Sequence, residues 1–171
     1  MSSLFTTDWQ PLLSELLNNA KKTVLLGAGS DLRADDAAGL MVCRLVQKKL
    51  SKKQDRMTVI LGETAPENFT GVIVRLKPDL VILVDAIEAE QTPGTIMLFD
   101  PENLDETNLF TTHKLPAKVL IQYLKLSLPE CRIVVVGIQP EILDFGKPVT
   151  SAVRKSVSKL ADFIRTQTSP K

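Results

Sequence analysis

Leu80-Val81-Ile82-Leu83-Val84-Asp85 is the stretch that decides the fold of this chain. Its five consecutive apolar residues leave no polar face. That is the pattern of a strand covered by helices on both sides, as in the parallel sheets of α/β proteins. Asp85 ends the run where such a strand reaches the edge of its sheet. A carboxylate buried there must be hydrogen-bonded, paired or metal-bound.

Other segments extend the pattern in both directions. Thr23-Val24-Leu25-Leu26 runs into Gly27-Ala28-Gly29-Ser30, Met57 to Leu61 reads as a second strand, and Arg132 to Val136 is a further buried run. Thr95 to Phe99 follows a Pro93-Gly94 turn. Between them lie helical periods: Trp9, Leu12, Leu13, Leu16 and Leu17; a helix beginning near Asp35 with Ala38, Met41, Val42, Leu45 and Val46 on one face; and Phe69, Val72, Ile73 and Leu76 after the Pro66-Glu67 start. Leu115 to Leu126 and the Val153, Val157, Leu160, Ile164 series complete the set. Residues 100–110 lack a clean period and read as a loop, and residues 166–171 read as a frayed tail. Strands alternating with helices predict one α/β domain over residues 1–171, a three-layer α/β/α sandwich with a mostly parallel, mixed sheet. The short connection from Asp85 to Thr95 admits one antiparallel pairing. Ligands in open sheets of this kind bind beyond the carboxyl ends of the strands, so Gly27, Asp85 and Gly137 mark the expected edge.

Composition narrows the function classes. The 171 residues carry a net charge of +1 with scattered Lys and Arg, which gives no footprint for nucleic acid. No apolar run approaches the ~20 residues needed to span a bilayer. The first residues lack the pattern of a signal peptide, and Cys43 and Cys131 sit far apart in apolar-patterned segments as buried thiols. The expectation is a cytoplasmic protein.

Three places offer chemistry. His113 is the single histidine, Asp35-Asp36 follows the glycine turn, and Asp85 ends the buried strand. Taken alone, the Asp35-Asp36 pair is equally a carboxylate pair at a helix N-terminus, and His113 equally a polar loop residue. Adjacent residues at a helix start point about 100° apart, so if one acid binds a metal the other is expected to cap the helix. One imidazole and two carboxylates converging from separate loops make a site for a borderline transition metal. Gly27-Ala28-Gly29 is either a phosphate cradle or a tight turn. The third fingerprint glycine is absent, Leu32 standing in its place, and this favours the turn over a nucleotide-binding module. No Gly-x-Ser-x-Gly elbow or local Cys-His pattern supports serine or cysteine catalysis.

With these residues in view, the chain resembles the nickel-iron hydrogenase maturation endopeptidases, most closely the hydrogenase 3, formate-hydrogenlyase-type branch. The resemblance rests on Leu26-Gly27-Ala28-Gly29-Ser30, Asp35-Asp36-Ala37-Ala38-Gly39, Ala65-Pro66-Glu67-Asn68, Leu83-Val84-Asp85-Ala86, Pro93-Gly94, Thr111-Thr112-His113, Leu115-Pro116 and Gly137-Ile138-Gln139-Pro140, in family order. Residues 1–21 fall outside it and read as an added N-terminal helix. Two positions depart from the family pattern: Ser30 replaces an asparagine, and Leu61-Gly62-Glu63 replaces Asp-Gly-Gly.

The resemblance implies an endopeptidase that removes the C-terminal extension of a hydrogenase large-subunit precursor after nickel insertion. The alternative is a nickel-checkpoint protein that binds the precursor without cutting it. The resemblance also implies that Asp36, Asp85 and His113 contact the metal and carry catalysis, with Asp35 or a metal-ligand carboxylate as general base. Glu63, two residues on from the missing Asp, and Phe110, in the loop before His113, are the expected substrate contacts. The implied cofactor is nickel held by the precursor, with no organic cofactor. The implied partner is that precursor, met by a monomer that engages neither nucleic acid nor membrane.

Overall fold

A computed structural model describes residues 5–50, 56–101 and 114–168. Five strands form one sheet: β1 (Thr23–Ala28), β2 (Met57–Glu63), β3 (Leu80–Ala86), β4 (Ile96–Phe99) and β5 (Arg132–Ile138). Their order is β2-β1-β3-β5-β4. All pairings are parallel except β4 with β5. The decisive apolar run is the middle strand, and all seven residues of β3 are buried. The one antiparallel strand does follow the short connection after Asp85. It pairs with β5, because β1 and β5 already occupy both edges of β3.

Side-chain alternation along the strands divides the core in two. Leu25, Ile82 and Val134 face the layer formed by α1 (Trp9–Asn19), α2 (Ala38–Lys49) and α5 (Ser151–Thr168). Leu26, Leu83 and Val135 face α3 (Thr70–Leu76) and α4 (Lys114–Ser127). This is the expected three-layer sandwich.

The N-terminal helix is bound to this body by packing, by the Ser14 hydroxyl donating to the Gln167 side-chain oxygen of α5 at 2.8 Å, and by the residues just before it. Trp9, Leu13 and Leu17 are buried, and the Trp9 ring meets Phe163 of α5 edge to face at 4.9 Å, a geometry worth about 1 kcal/mol beyond its buried area. Just before α1, Thr6 exchanges backbone hydrogen bonds with Leu98 at 3.0 and 2.9 Å. That bridge covers the outer edge of β4, which would otherwise present unpaired backbone groups.

Several boundaries differ from the sequence reading. The helix read from Pro66-Glu67, for one, starts as a 3-10 turn, Pro66–Phe69, and is α-helical only over Thr70–Leu76. The helix expected near Asp35 begins as a 3-10 turn, Ala34–Ala37, and becomes α-helical only at Ala38. Ala34 enters that turn with φ of 43°, a left-handed conformation from which an α-helix cannot be continued directly. The tail expected to fray from residue 166 is helical through Thr168. That side chain is buried and its hydroxyl donates to the Ile164 carbonyl at 2.9 Å. The burial of Thr168 holds the last turn.

The strand order places the site. From β1 the chain moves to β2 on one side, then crosses to the other side of β1 for β3, and β5 and β4 are added outward from there. The carboxyl ends of β1 and β3 therefore flank the reversal, the crevice in which open sheets bind ligands.

Candidate active site

Asp36 and Asp85 arrive at this crevice from its two sides. Asp85 is the residue directly after the paired Gly27 and Val84, at the end of β3. Asp36 lies in the 3-10 turn that follows β1, and this turn packs against β3. Both side chains are fully buried. Asp85 accepts a hydrogen bond from the Ala86 N–H at 2.8 Å.

The glycines explain how the turn reaches so far in. Gly29 has φ of 136°, and a Cβ there would overlap the Asp36 carbonyl oxygen. A Cβ on Gly39 would strike the backbone oxygens of Val84 and Ala28 together. A Cβ on Gly27 would lie 2.5 Å from the Gly39 carbonyl oxygen. Gly27-Ala28-Gly29 is thus a turn shaped by the close approach of α2 at Gly27 and of the 3-10 turn at Gly29, with protein backbone filling the space above each glycine. The phosphate-cradle reading loses its physical basis. Ser30 keeps a turn bond where the family has asparagine, its hydroxyl accepting from the Leu32 N–H at 3.3 Å.

Asp35, also fully buried, points elsewhere. Its Oδ1 accepts from the Thr150 N–H at 2.7 Å; its Oδ2 accepts from the N–H groups of Glu141 and Ile142 at 2.8 and 3.1 Å and from the Thr150 hydroxyl at 3.0 Å. A carboxylate offers about four acceptor positions. Three bonds fall on Oδ2 and one on Oδ1, so both oxygens of Asp35 are engaged by the segment between β5 and α5. Asp35 is thus not a cap on its own helix, since it ties down that segment.

Gln139, at the end of β5, does similar work for the segment after β3. Its side-chain oxygen accepts from the Ala89 and Gln91 N–H groups at 2.9 and 3.1 Å. Two loops bordering the crevice are therefore each fixed by one buried polar side chain. Sequence reasoning missed both roles. The available signal was a glutamine directly after an apolar strand, which needs partners once buried.

Glu63 ends β2, exposed, with φ of 51°, and its carbonyl accepts from the Gly29 N–H at 2.9 Å. It borders the same edge from the far side of β1. Leu61 is half-buried and packs on the core. Phe110 and His113 lie outside the described residues. Among the described residues no group of three His, Cys, Asp or Glu side chains is placed to hold a metal ion. Asp36 and Asp85 supply two hard oxygen donors of the kind a divalent metal accepts.

The cysteines have no part in this edge chemistry. Burial pushes the Cys43 thiol far above its ordinary range and the Cys131 thiol up to about 11. At pH 7 roughly one Cys131 in 10,000 would be thiolate, the reactive form. Native protein treated with iodoacetamide at pH 7 is expected to stay unmodified by intact mass and fully active. Rapid loss of activity on alkylation would contradict this assignment.

Comparison with known proteins agrees with the geometry. The hydrogenase maturation protease family model matches residues 40–167. The hydrogenase 3 maturation protease of Escherichia coli K12 is 35% identical over 134 residues, 78% of this chain and 83% of that protein. A putative hydrogenase maturation protease of Methanocaldococcus jannaschii is 28% identical over 158 residues, 90% of this chain and 92% of that one. Among solved structures, a NiFe hydrogenase maturation protease from Thermococcus kodakarensis superposes with a TM-score of 0.82 at 26% identity, covering 92% of this chain and 98% of that one. An endopeptidase from Escherichia coli superposes with a TM-score of 0.72 at 31% identity, covering 85% and 90%. The chain belongs to the hydrogenase maturation proteases and is an endopeptidase.

Proposed function

We propose that this endopeptidase removes the C-terminal extension of a nickel-iron hydrogenase large-subunit precursor once nickel has been inserted. The observation that supports this most is the pair of fully buried carboxylates, Asp36 and Asp85, on the two sides of the β1/β3 reversal. Buried carboxylates are hydrogen-bonded, paired or metal-bound, and a pair of them in a crevice is a candidate for site chemistry. The donor set is completed by His113, which the family resemblance assigns. Nickel is part of the substrate in this reading, held by the precursor and read by these three residues. It supplies polarisation of the scissile carbonyl and a lowered pKa for an attacking water.

Peptide hydrolysis then needs one proton moved. Water adds to the carbonyl carbon and gives its proton to a carboxylate; that proton passes to the departing amine as the C–N bond breaks. With both oxygens of Asp35 bound by the segment between β5 and α5, Asp36 and Asp85 are the acids we assign to this transfer. Glu63 and Phe110 are the proposed substrate contacts, on loops where specificity usually resides. The same reading places the enzyme in the cytoplasm as a monomer that meets its precursor transiently.

The test mixes a catalytic amount of protein with purified large-subunit precursor, with and without inserted nickel, and weighs the products by mass spectrometry. The expected result is loss of a C-terminal peptide only from the nickel-loaded form, and loss of that activity in His113→Ala. Equal cutting of both forms would remove nickel recognition from the reading. Tight binding without cutting would point to a different precursor as substrate.

A further inference from the structure

The segment between β5 and α5 has no helix or strand over residues 139–150, yet it is tied at several points to the turn that carries Asp36 and to the residues just before it. Besides accepting four hydrogen bonds through its side chain, Asp35 donates its own N–H to the Ile142 carbonyl at 3.2 Å. The Gly146 N–H donates to the Leu32 carbonyl at 2.9 Å, and the Arg33 guanidinium lies over the Phe145 ring at 5.3 Å. Thr150 links this cluster to α5. Its hydroxyl donates to Asp35 and accepts from the Val153 N–H at 3.5 Å, in the first turn of that helix.

Asp36 is the next residue in the chain, in a short 3-10 turn entered through the strained Ala34. A turn of that kind has little rigidity of its own, so the direction of the Asp36 side chain depends on what holds Asp35. We propose that Asp35 is a positioning residue for Asp36, and that the 141–150 segment, through Asp35 and Thr150, sets the geometry with which the enzyme reads the metal in its substrate. This inference rests on the reading that Asp36 meets the precursor's nickel. Groups that orient metal-contacting residues typically change metal recognition 10- to 100-fold when removed.

The discriminating quantity is the ratio of affinities for nickel-loaded and nickel-free precursor, measured alongside the cleavage rate. A general loss of stability lowers both affinities together and leaves the ratio alone. Val157→Ala, in the buried face of α5, serves as that control. Asp35→Asn keeps the size of the side chain and turns one of its two acceptor arms into a donor facing N–H groups. It is expected to lower the ratio about 10-fold or more, with a matching fall in kcat. Thr150→Val is expected to lower the ratio less, and Thr150→Ser to restore it.

A folded Asp35→Asn protein with the wild-type ratio would overturn the inference. If Asp35→Asn does not fold, the Thr150 pair decides, and equal ratios for valine and serine would overturn it. Wild-type protein that neither cuts nor prefers the nickel-loaded precursor would overturn the functional reading itself, and the positioning role with it.

Discussion

Replacing Asp85 or Asp36 by Asn is expected to reduce precursor cleavage by on the order of 1,000-fold, about 4 kcal/mol of transition-state stabilisation, while moving the melting temperature by only a few degrees. The two halves of that expectation have separate causes. Asparagine matches aspartate in size, and at position 85 its amide oxygen can keep the bond from the Ala86 N–H, so packing survives. An ionised carboxylate taken out of water carries a desolvation penalty that the amide does not, so neutralisation returns part of what the lost interactions take away. The proposed function, in contrast, needs the negative charge, both to meet a divalent metal and to accept a proton. Residues kept for chemistry at a cost in stability show this pattern, in which activity collapses and stability does not. Cleavage within 10-fold of wild type by Asp36→Asn or Asp85→Asn, with nickel-loaded precursor in excess, would remove that residue from the machinery.

The contrast between Asp35 and Asp36 also shows where the sequence stops being informative. Leu80 to Val84 announces a doubly covered strand because burial on both faces excludes polar residues, and that constraint is local. The 0, 3, 4, 7 spacing of Phe69, Val72, Ile73 and Leu76 is a weaker guide: Ile73 is buried with Phe69 and Leu76 packed on the core, but Val72 is exposed and Val74 packs there instead. Asp35 and Asp36 are identical side chains one step apart, and the partners that hold Asp35 come from more than 100 residues away, at Glu141, Ile142 and Thr150. No local pattern encodes a loop 100 residues downstream. The partner of β4 was illegible for a related reason. Its four buried residues carry no register information, and its neighbour was decided by which sheet edge β1, β2, β3 and β5 left open. The glycine turn was ambiguous because a phosphate and a helix backbone place the same demand on the chain, the absence of a Cβ.

That demand can be measured at Gly39, where two physical effects oppose each other. Gly39 is the second residue of α2, and by helix propensity alone alanine would be better there by up to about 1 kcal/mol. The structure says the reverse. A Cβ would meet the carbonyl oxygens of Val84 and Ala28, which are strand backbone and cannot rotate away as a side chain would. Helix and sheet would have to separate along the seam where the Asp36 turn meets the end of β3. Overpacking a rigid seam costs about 1–3 kcal/mol and occasionally more, and with backbone on both sides the upper end applies. At roughly 2–4 °C per kcal/mol for a chain of this size, Gly39→Ala should lower the melting temperature by about 6–12 °C. Because the seam also sets the Asp36 turn against β3, cleavage by the molecules that remain folded should fall too. Gly71→Ala provides the opposite case in the same protein. It lies in α3, where the nearest atom to a new Cβ is the Arg75 guanidinium nitrogen at 3.7 Å, an ordinary contact. With no clash to oppose propensity, Gly71→Ala should hold or raise the melting temperature by a few degrees with cleavage unchanged. The two variants make the same chemical change in two helices and are expected to move stability in opposite directions. A Gly39→Ala protein as stable as Gly71→Ala would mean that the seam between α2 and the strands is looser than its geometry requires.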